Sequence, residues 1–267
     1  MQLTPIEAQA IEQFAFYVTV PIFLELGDSS GLLATGTLFK VGGRSFIISA
    51  RHVFDEVPDL AKLAYPENPL RGHLYTLGSF TILRPTEEHI DVAAIELKSP
   101  ETIERLEANW QFLSLANVAA PSRFTRDGAF FVSGYPESLT KNDAGWTKGK
   151  LVTAFTQRLP SAPSEAEQPV ISELDLFFDY SRNATSVAGN QIETPKLPGV
   201  SGASIWEILP VLGVWSPETA TRVIGIQSAY VHSKYIRGKN WWAVAKVLEL
   251  ADHGLAEAVR AKLSEIY

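Results

Sequence analysis

The chain has 267 residues, 46% hydrophobic and 20% charged, a globular composition with enough apolar material for one large core or two smaller ones. Its net charge is −7 and no block of like charges forms a basic arm, which argues against a nucleic-acid partner. It holds no cysteine, so disulfides, thiolate metal sites and a cysteine nucleophile are excluded.

In chain order, Thr4-Pro5-Ile6-Glu7 reads as a helix start: Thr4 as N-cap, Pro5 at the first helical position, and Glu7 closing a capping box. The expected helix ends near Gln13 or Phe14. From Tyr17 to Leu26 the residues turn β-branched and aromatic, and Gly27 to Gly31 reads as a turn. Ala34–Val41 and Arg44–Ala50 are expected strands joined by Gly42-Gly43, a two-residue hairpin signal. Residues 54–70 read as loop, His73–Leu83 as a strand, Asp91–Leu97 as an alternating strand, and Glu101–Phe112 as helical.

A second set of strands follows: Ala129–Tyr135, Gly149–Thr156, Glu173–Tyr180, Ala203–Leu209, Thr221–Val231 and Asn240–Lys246. Pro160–Gln168 is a polar loop. Val247 to Ile266 carries apolar residues near helical spacing, with Gly254 weakening that helix. Two groups of about six short strands predict an all-β chain of two six-stranded antiparallel β-barrels. The expected divisions are an N-terminal helix over 1–16, a first barrel over 17–112, a second over 113–246 and a C-terminal helix over 247–267.

Three positions could carry chemistry. His52 ends an apolar strand in Ile48-Ser-Ala-Arg-His-Val53, where a lone histidine is ordinarily structural. Asp91 precedes a buried strand, where an aspartate ordinarily forms a turn. Ser201 lies in Pro198-Gly-Val-Ser-Gly-Ala203, an ordinary glycine turn or one whose backbone N–H groups converge on a point. Taken together they supply a base, an orienting carboxylate and a nucleophile. His73, His89, His232 and His253 show no metal-ligand spacing, and Gly42-Gly43-Arg44 lacks the context of a phosphate loop, so no metal and no cofactor is expected.

With these residues in view, the chain resembles the trypsin-like serine peptidases of chymotrypsin fold, particularly their disulfide-free bacterial branch. Thr35-Gly-Thr-Leu38 is similar to that family's Gly-Thr/Ser-Gly-Phe strand. Ile48 to Val53 is similar to its Thr-Ala-x-His-Val block, Asp91-Val-Ala-Ala-Ile95 to Asp-Ile-Ala-Val-Leu, and Gly199-Val-Ser-Gly-Ala203 to Gly-x-Ser-Gly-Gly. The resemblance covers about residues 17–246. It implies Ser201 as nucleophile, His52 as general base and acid, Asp91 as its orienting partner, and the N–H groups of Gly199 and Ser201 as oxyanion hole. It further implies that Gln227, Ser228, Ala229 and Tyr230 bind an extended peptide by strand addition.

The sequence departs from that pattern at Ala203, which replaces the last glycine, and at Val200, which stands where an aspartate would pair with a newly cut N-terminus. No aspartate floor is evident near Glu193–Pro195 or Ala229–His232, so no preference for basic residues is expected. Trp206 and Trp215 are expected near the cleft wall.

The implied activity is endopeptidase cleavage of a protein or peptide substrate. The rival reading is a silent or latent peptidase-like module that binds proteins. A hydrolase of the α/β class is not expected, because Asp252-His253 are adjacent on a predicted helix and little of the chain after Ser201 is left for the remaining sheet. The insertion over 137–196, or the N-terminal helix, is expected to limit access or dock a regulatory protein. The lack of cysteine, the absence of a basic stretch with an apolar core at the first residues, and the lack of any apolar run of roughly 18 residues lead to an expected cytoplasmic location with no membrane partner.

Overall fold

The computed structural model describes residues 3–26, 29–70, 72–121, 129–143, 146–185, 190–211 and 213–265. Helix α1 (Pro5–Val18) opens with the capping box read from the sequence: Glu7 N–H donates to Thr4 Oγ1 at 3.2 Å, and Thr4 N–H donates to the Glu7 carboxylate at 2.7 Å. It runs a full turn beyond the expected Phe14. Ile11, Phe14, Ala15 and Val18 recur at helical spacing and are all buried, so Tyr17 and Val18 extend the helix although their residue types favour strand.

Seven strands follow: β1 (Thr19–Leu26), β2 (Ser29–Val41), β3 (Arg44–Ser49), β4 (Leu63–Pro66), β5 (Leu74–Thr76), β6 (Phe80–Leu83) and β7 (Ala93–Leu97). They make one antiparallel sheet in the order β5-β4-β1-β2-β3-β7-β6. The hairpin between β2 and β3 turns at Gly42 and Gly43, both with positive φ as a primed two-residue turn requires. Of the expected turn at residues 27–31, Gly27 and Asp28 lie outside the described residues and Ser29–Gly31 belong to β2. The single strand expected over His73–Leu83 is two, because Gly78 takes φ +66° between them. With that split, and with β4 formed inside the 54–70 stretch expected as loop, the sheet has seven strands rather than six. Helix α2 (Pro100–Asn109), capped by Ser99, follows.

The rest of the chain gives β8 (Ala129–Gly134), β9 (Thr140–Asp143), β10 (Trp146–Gly149), β11 (Val152–Thr156), β12 (Asp175–Asp179), β13 (Asn183–Thr185), β14 (Gln191–Glu193), β15 (Ser204–Ile208), the short helix α3 (Pro217–Ala220), β16 (Thr221–Val231) and β17 (Tyr235–Asn240). A six-stranded antiparallel sheet runs β11-β8-β15-β16-β17-β12, while β9–β10 and β13–β14 are separate hairpins.

The expected last strand, Asn240–Lys246, is instead the start of helix α4 (Trp241–Glu249). Asn240 caps it, accepting from Trp242 N–H at 3.0 Å. Its aromatic and branched residues suggested strand, but Trp241, Val244, Val247 and Leu248 are buried at helical spacing. A second helix, α5 (His253–Leu263), starts at the Asp252 cap, so the single C-terminal helix expected over 247–267 is two helices and Gly254 falls in the first turn of the second. Residues 266 and 267 lie outside the described residues.

Each curled sheet wraps its own apolar cluster, one around Leu38, Ile47, Ile95 and Trp110, the other around Phe130, Phe178, Ile205 and Ile236. A third cluster binds the two sheets to α1, α4 and α5. At its centre Trp206 stacks on Phe131 with centroids 5.5 Å apart and meets Phe14 edge-on. Trp206 is thus wholly buried between the sheets and not in a cleft wall, and Trp215 packs against the same cluster. Among the described residues no helix is long and apolar enough to cross a membrane.

Candidate active site

A cleft of about 560 Å³ is lined by His52, Asp91, Ser201, Ser228, Ala229 and Tyr230, together with Arg51, Asp55, Glu88, His89, Glu167–Pro169, Arg237 and Lys239. The structure thus brings His52 and Asp91, from loops of the first sheet, onto one surface with Ser201, from a loop of the second. Each sits where a strand begins or ends. His52 opens a 3-10 turn over His52–Phe54 just after β3, Asp91 precedes β7, and Ser201 precedes β15. β3 and β7 are paired neighbours, with Ser49 opposite Ala93, which puts the two loops side by side.

The Asp91 carboxylate holds His52 twice. One oxygen lies 2.8 Å from Nδ1 and the other accepts the His52 backbone N–H at 2.9 Å. With Nδ1 so engaged as donor, Nε2 is left as the basic nitrogen turned to the cleft. Burial by itself lowers the basicity of the ring. The hydrogen bond and charge of Asp91, aided by Asp55 and opposed by Arg51, outweigh it and hold the His52 pKa above its ordinary value. Ser201 Oγ makes no hydrogen bond to His52 among the described residues; such contacts commonly close only when a substrate is in place.

In the loop before β15 the carbonyl groups of Pro198 to Ser201 are all held. Pro198 C=O accepts from Glu137 N–H (2.8 Å), Gly199 C=O from the Thr35 hydroxyl (2.8 Å), Val200 C=O from Ala203 N–H (2.9 Å) and Ser201 C=O from Thr35 N–H (2.9 Å). The N–H groups of Val200 and Gly202 donate to Leu197 and Gln227 carbonyls, both at 2.9 Å. The N–H groups of Gly199 and Ser201 donate to no acceptor among the described residues. Because a trans peptide points its C=O and N–H in opposite directions, tying Pro198 C=O to Glu137 turns Gly199 N–H the other way.

Gly199 has φ +89° and Gly202 φ +91°, and a Cβ on Gly202 would collide with Ser49 Oγ and the Thr35 carbonyl. Val200 is buried in the core of the second sheet, so an apolar contact occupies the place read above as a departure. Ala203 is fully buried there too.

Of the expected peptide-binding residues, Ser228, Ala229 and Tyr230 line the cleft. Gln227 is fully buried and acts through its backbone, donating to Ala203 C=O at 2.8 Å and accepting from Gly202 N–H. β15 pairs with β16 only as far as Ile226, whereas β17 pairs with it to Val231. The far end of β16 therefore has one edge without a strand partner among the described residues.

A charged cluster in the cleft wall escaped the sequence analysis. Asp175 on β12 takes Arg237 Nε and Nη2 at 2.8 Å each and Lys239 Nζ at 2.5 Å. Arg237 also donates to the carbonyls of Glu167 (2.8 Å) and Pro169 (2.6 Å), fixing that end of the polar loop against β17. Burial raises the Asp175 pKa, but the bonds from Arg237, Lys239 and Ile171 N–H together hold it below its usual value. Burial keeps the Lys239 pKa below its ordinary value in spite of Asp175. The one available signal was the strand spacing of two basic residues in Arg237-Gly-Lys239, which puts both on one face.

The two curled antiparallel sheets resemble a chymotrypsin-like fold. No family model matches the chain, and no curated protein matches it. A solved structure reported under the heading that aromatic interactions drive the coupled folding and binding of the intrinsically disordered Sesbania mosaic virus VPg protein aligns with 87% of this chain and 90% of its own length. It does so at 14% identity with a TM-score of 0.48. A likeness of that degree carries no information about function.

Proposed function

We propose that the protein is a serine endopeptidase of trypsin-like type, with Ser201 as nucleophile, His52 as general base and acid, and Asp91 as the partner that orients the imidazole. One observation carries the reading: a carboxylate-oriented histidine shares one cleft with a serine whose own N–H and that of Gly199 are unengaged among the described residues. Ser201 Oγ attacks the scissile carbonyl carbon while His52 Nε2 takes its proton. The carbonyl oxygen becomes an oxyanion held by Gly199 and Ser201 N–H. The C–N bond then breaks as the imidazolium returns that proton to the leaving amine. Water, deprotonated in turn by His52, hydrolyses the acyl ester and restores Ser201. The open edge of β16 beyond Ile226 supports binding of the peptide substrate as an added strand along Ser228–Tyr230.

A fluorophosphonate probe tests the assignment, since it reacts with a serine only when base and oxyanion donors are in place. The wild type should be labelled, and Ser201→Ala and His52→Ala should not. Labelling that persists in Ser201→Ala rejects the nucleophile. A wild type that stays unlabelled rejects the enzymatic reading.

A further inference from the structure

We propose that Thr35, on the first sheet, is a positioning residue for the oxyanion site of the second; the inference rests on the peptidase reading above. Thr35 lies on β2, fully buried, and every polar group it owns is committed at the junction of the two sheets. Its N–H donates to Ser201 C=O at 2.9 Å and its hydroxyl to Gly199 C=O at 2.8 Å. The same hydroxyl accepts Tyr135 N–H at 3.0 Å, and the Thr35 carbonyl accepts Ser49 Oγ at 2.7 Å. Two of the four carbonyls around the nucleophile are thus anchored by one residue that lies far from it in sequence.

The side chain, not only the backbone, is needed. The backbone N–H of any residue could hold Ser201 C=O, but Gly199 C=O is held by the hydroxyl alone. Gly199 is the pivot of the site, with positive φ and little resistance to rotation about its own bonds. If its carbonyl lost its donor in this buried place, the Gly199–Val200 peptide would turn toward another and drag the next peptide, which carries the Ser201 N–H, from its aim. The hydroxyl serves a second end: by accepting Tyr135 N–H it ties the end of β8 to the same point, next to Glu137, whose N–H holds Pro198 C=O. One hydroxyl therefore holds the Gly199–Val200 peptide directly and steadies the Pro198–Gly199 peptide through the end of β8.

Two variants separate this role from simple packing. Thr35→Val keeps the shape and removes the hydroxyl; Thr35→Ser keeps the hydroxyl and removes the methyl. The expected result is that Thr35→Val lowers the limiting rate of fluorophosphonate inactivation about tenfold to a hundredfold, below the loss of a whole oxyanion donor. The probe concentration at half-saturation should not move, and Thr35→Ser should react at close to the wild-type rate. A folded Thr35→Val that reacts like wild type overturns the proposal, as does a folded Thr35→Ser that loses reactivity; the serine variant decides alone if the valine variant does not fold. Should the wild type itself be inert, the peptidase reading fails on its own. The Gly199 and Ser201 amide resonances then decide for Thr35: they should shift in a folded Thr35→Val and stay in Thr35→Ser. Shifts unchanged in Thr35→Val, or lost from their wild-type positions in Thr35→Ser, overturn the positioning role.

Discussion

At the scale of single residues, the site is governed by which protonation state and which peptide orientation each group is held in. His52 must be neutral to act as a base. Asp91 holds its pKa above the ordinary value of 6.5, so the acidic limb of kcat/KM should lie above pH 6.5 and move down in Asp91→Asn. A pH profile with its limb well below 6.5 in the wild type would contradict that pairing. The same shift has a consequence for stability. The His52–Asp91 interaction contributes fully below the unfolded pKa and is lost as pH rises through the folded one. Gly202 makes a separate case. Its φ of +91° costs any other residue about 1–3 kcal/mol, and a Cβ would also strike Ser49 and Thr35. Gly202→Ala should therefore lower the unfolding free energy by more than that range and abolish probe labelling, both measurable on one preparation.

At the scale of elements, the local signals that fixed boundaries were those with a hydrogen-bonding mechanism. The capping box at Thr4 and the glycine pair at 42–43 have geometries that only a few residue types satisfy, and both are found where the sequence put them. Residue type alone misled at Trp241-Trp242, which β-propensity assigned to a strand. There Asn240 is the deciding residue, because it caps α4 through Trp242 N–H and donates its amide to Glu173 C=O at 2.6 Å. Asn240→Ala removes both bonds and should cost about 1–2 kcal/mol, read as a lowered denaturation midpoint with an unchanged slope.

At the scale of the whole molecule, the cleft depends on contacts that no short window of sequence contains. Asp175, Arg237 and Lys239 come from β12 and β17, and through Arg237 they hold residues 167–169 in the cleft wall. Removing the one carboxylate leaves two buried cations facing each other, so Asp175→Ala should destabilise by about 3–5 kcal/mol in chemical denaturation. Because the Asp175 pKa is depressed in the fold, its contribution is present above the unfolded value and is lost as pH falls through the folded one. Acidification below about pH 4 should accordingly cost the wild type more stability than it costs Asp175→Asn. Glu167–Pro169, which belong to the 137–196 segment, form part of the wall beside Tyr230.

The sequence by itself determined the strand-rich architecture, the first helix start and the hairpin glycines, because alternation, the Thr4 capping box and positive φ act over a few residues and leave a local mark. It also singled out His52, Asp91, Ser201 and Gly199, since their residue types and flanking patterns lie within windows of five or six residues. Only the tertiary structure decided that Gly199 and Ser201 N–H stand unengaged, that Thr35 anchors the carbonyls beside them, that Gln227 acts through its backbone, and that Arg237 and Lys239 share one buried carboxylate. Each but the first is a hydrogen bond between residues far apart in the chain. Its partners are chosen by how the sheets curl and meet, which no local pattern encodes.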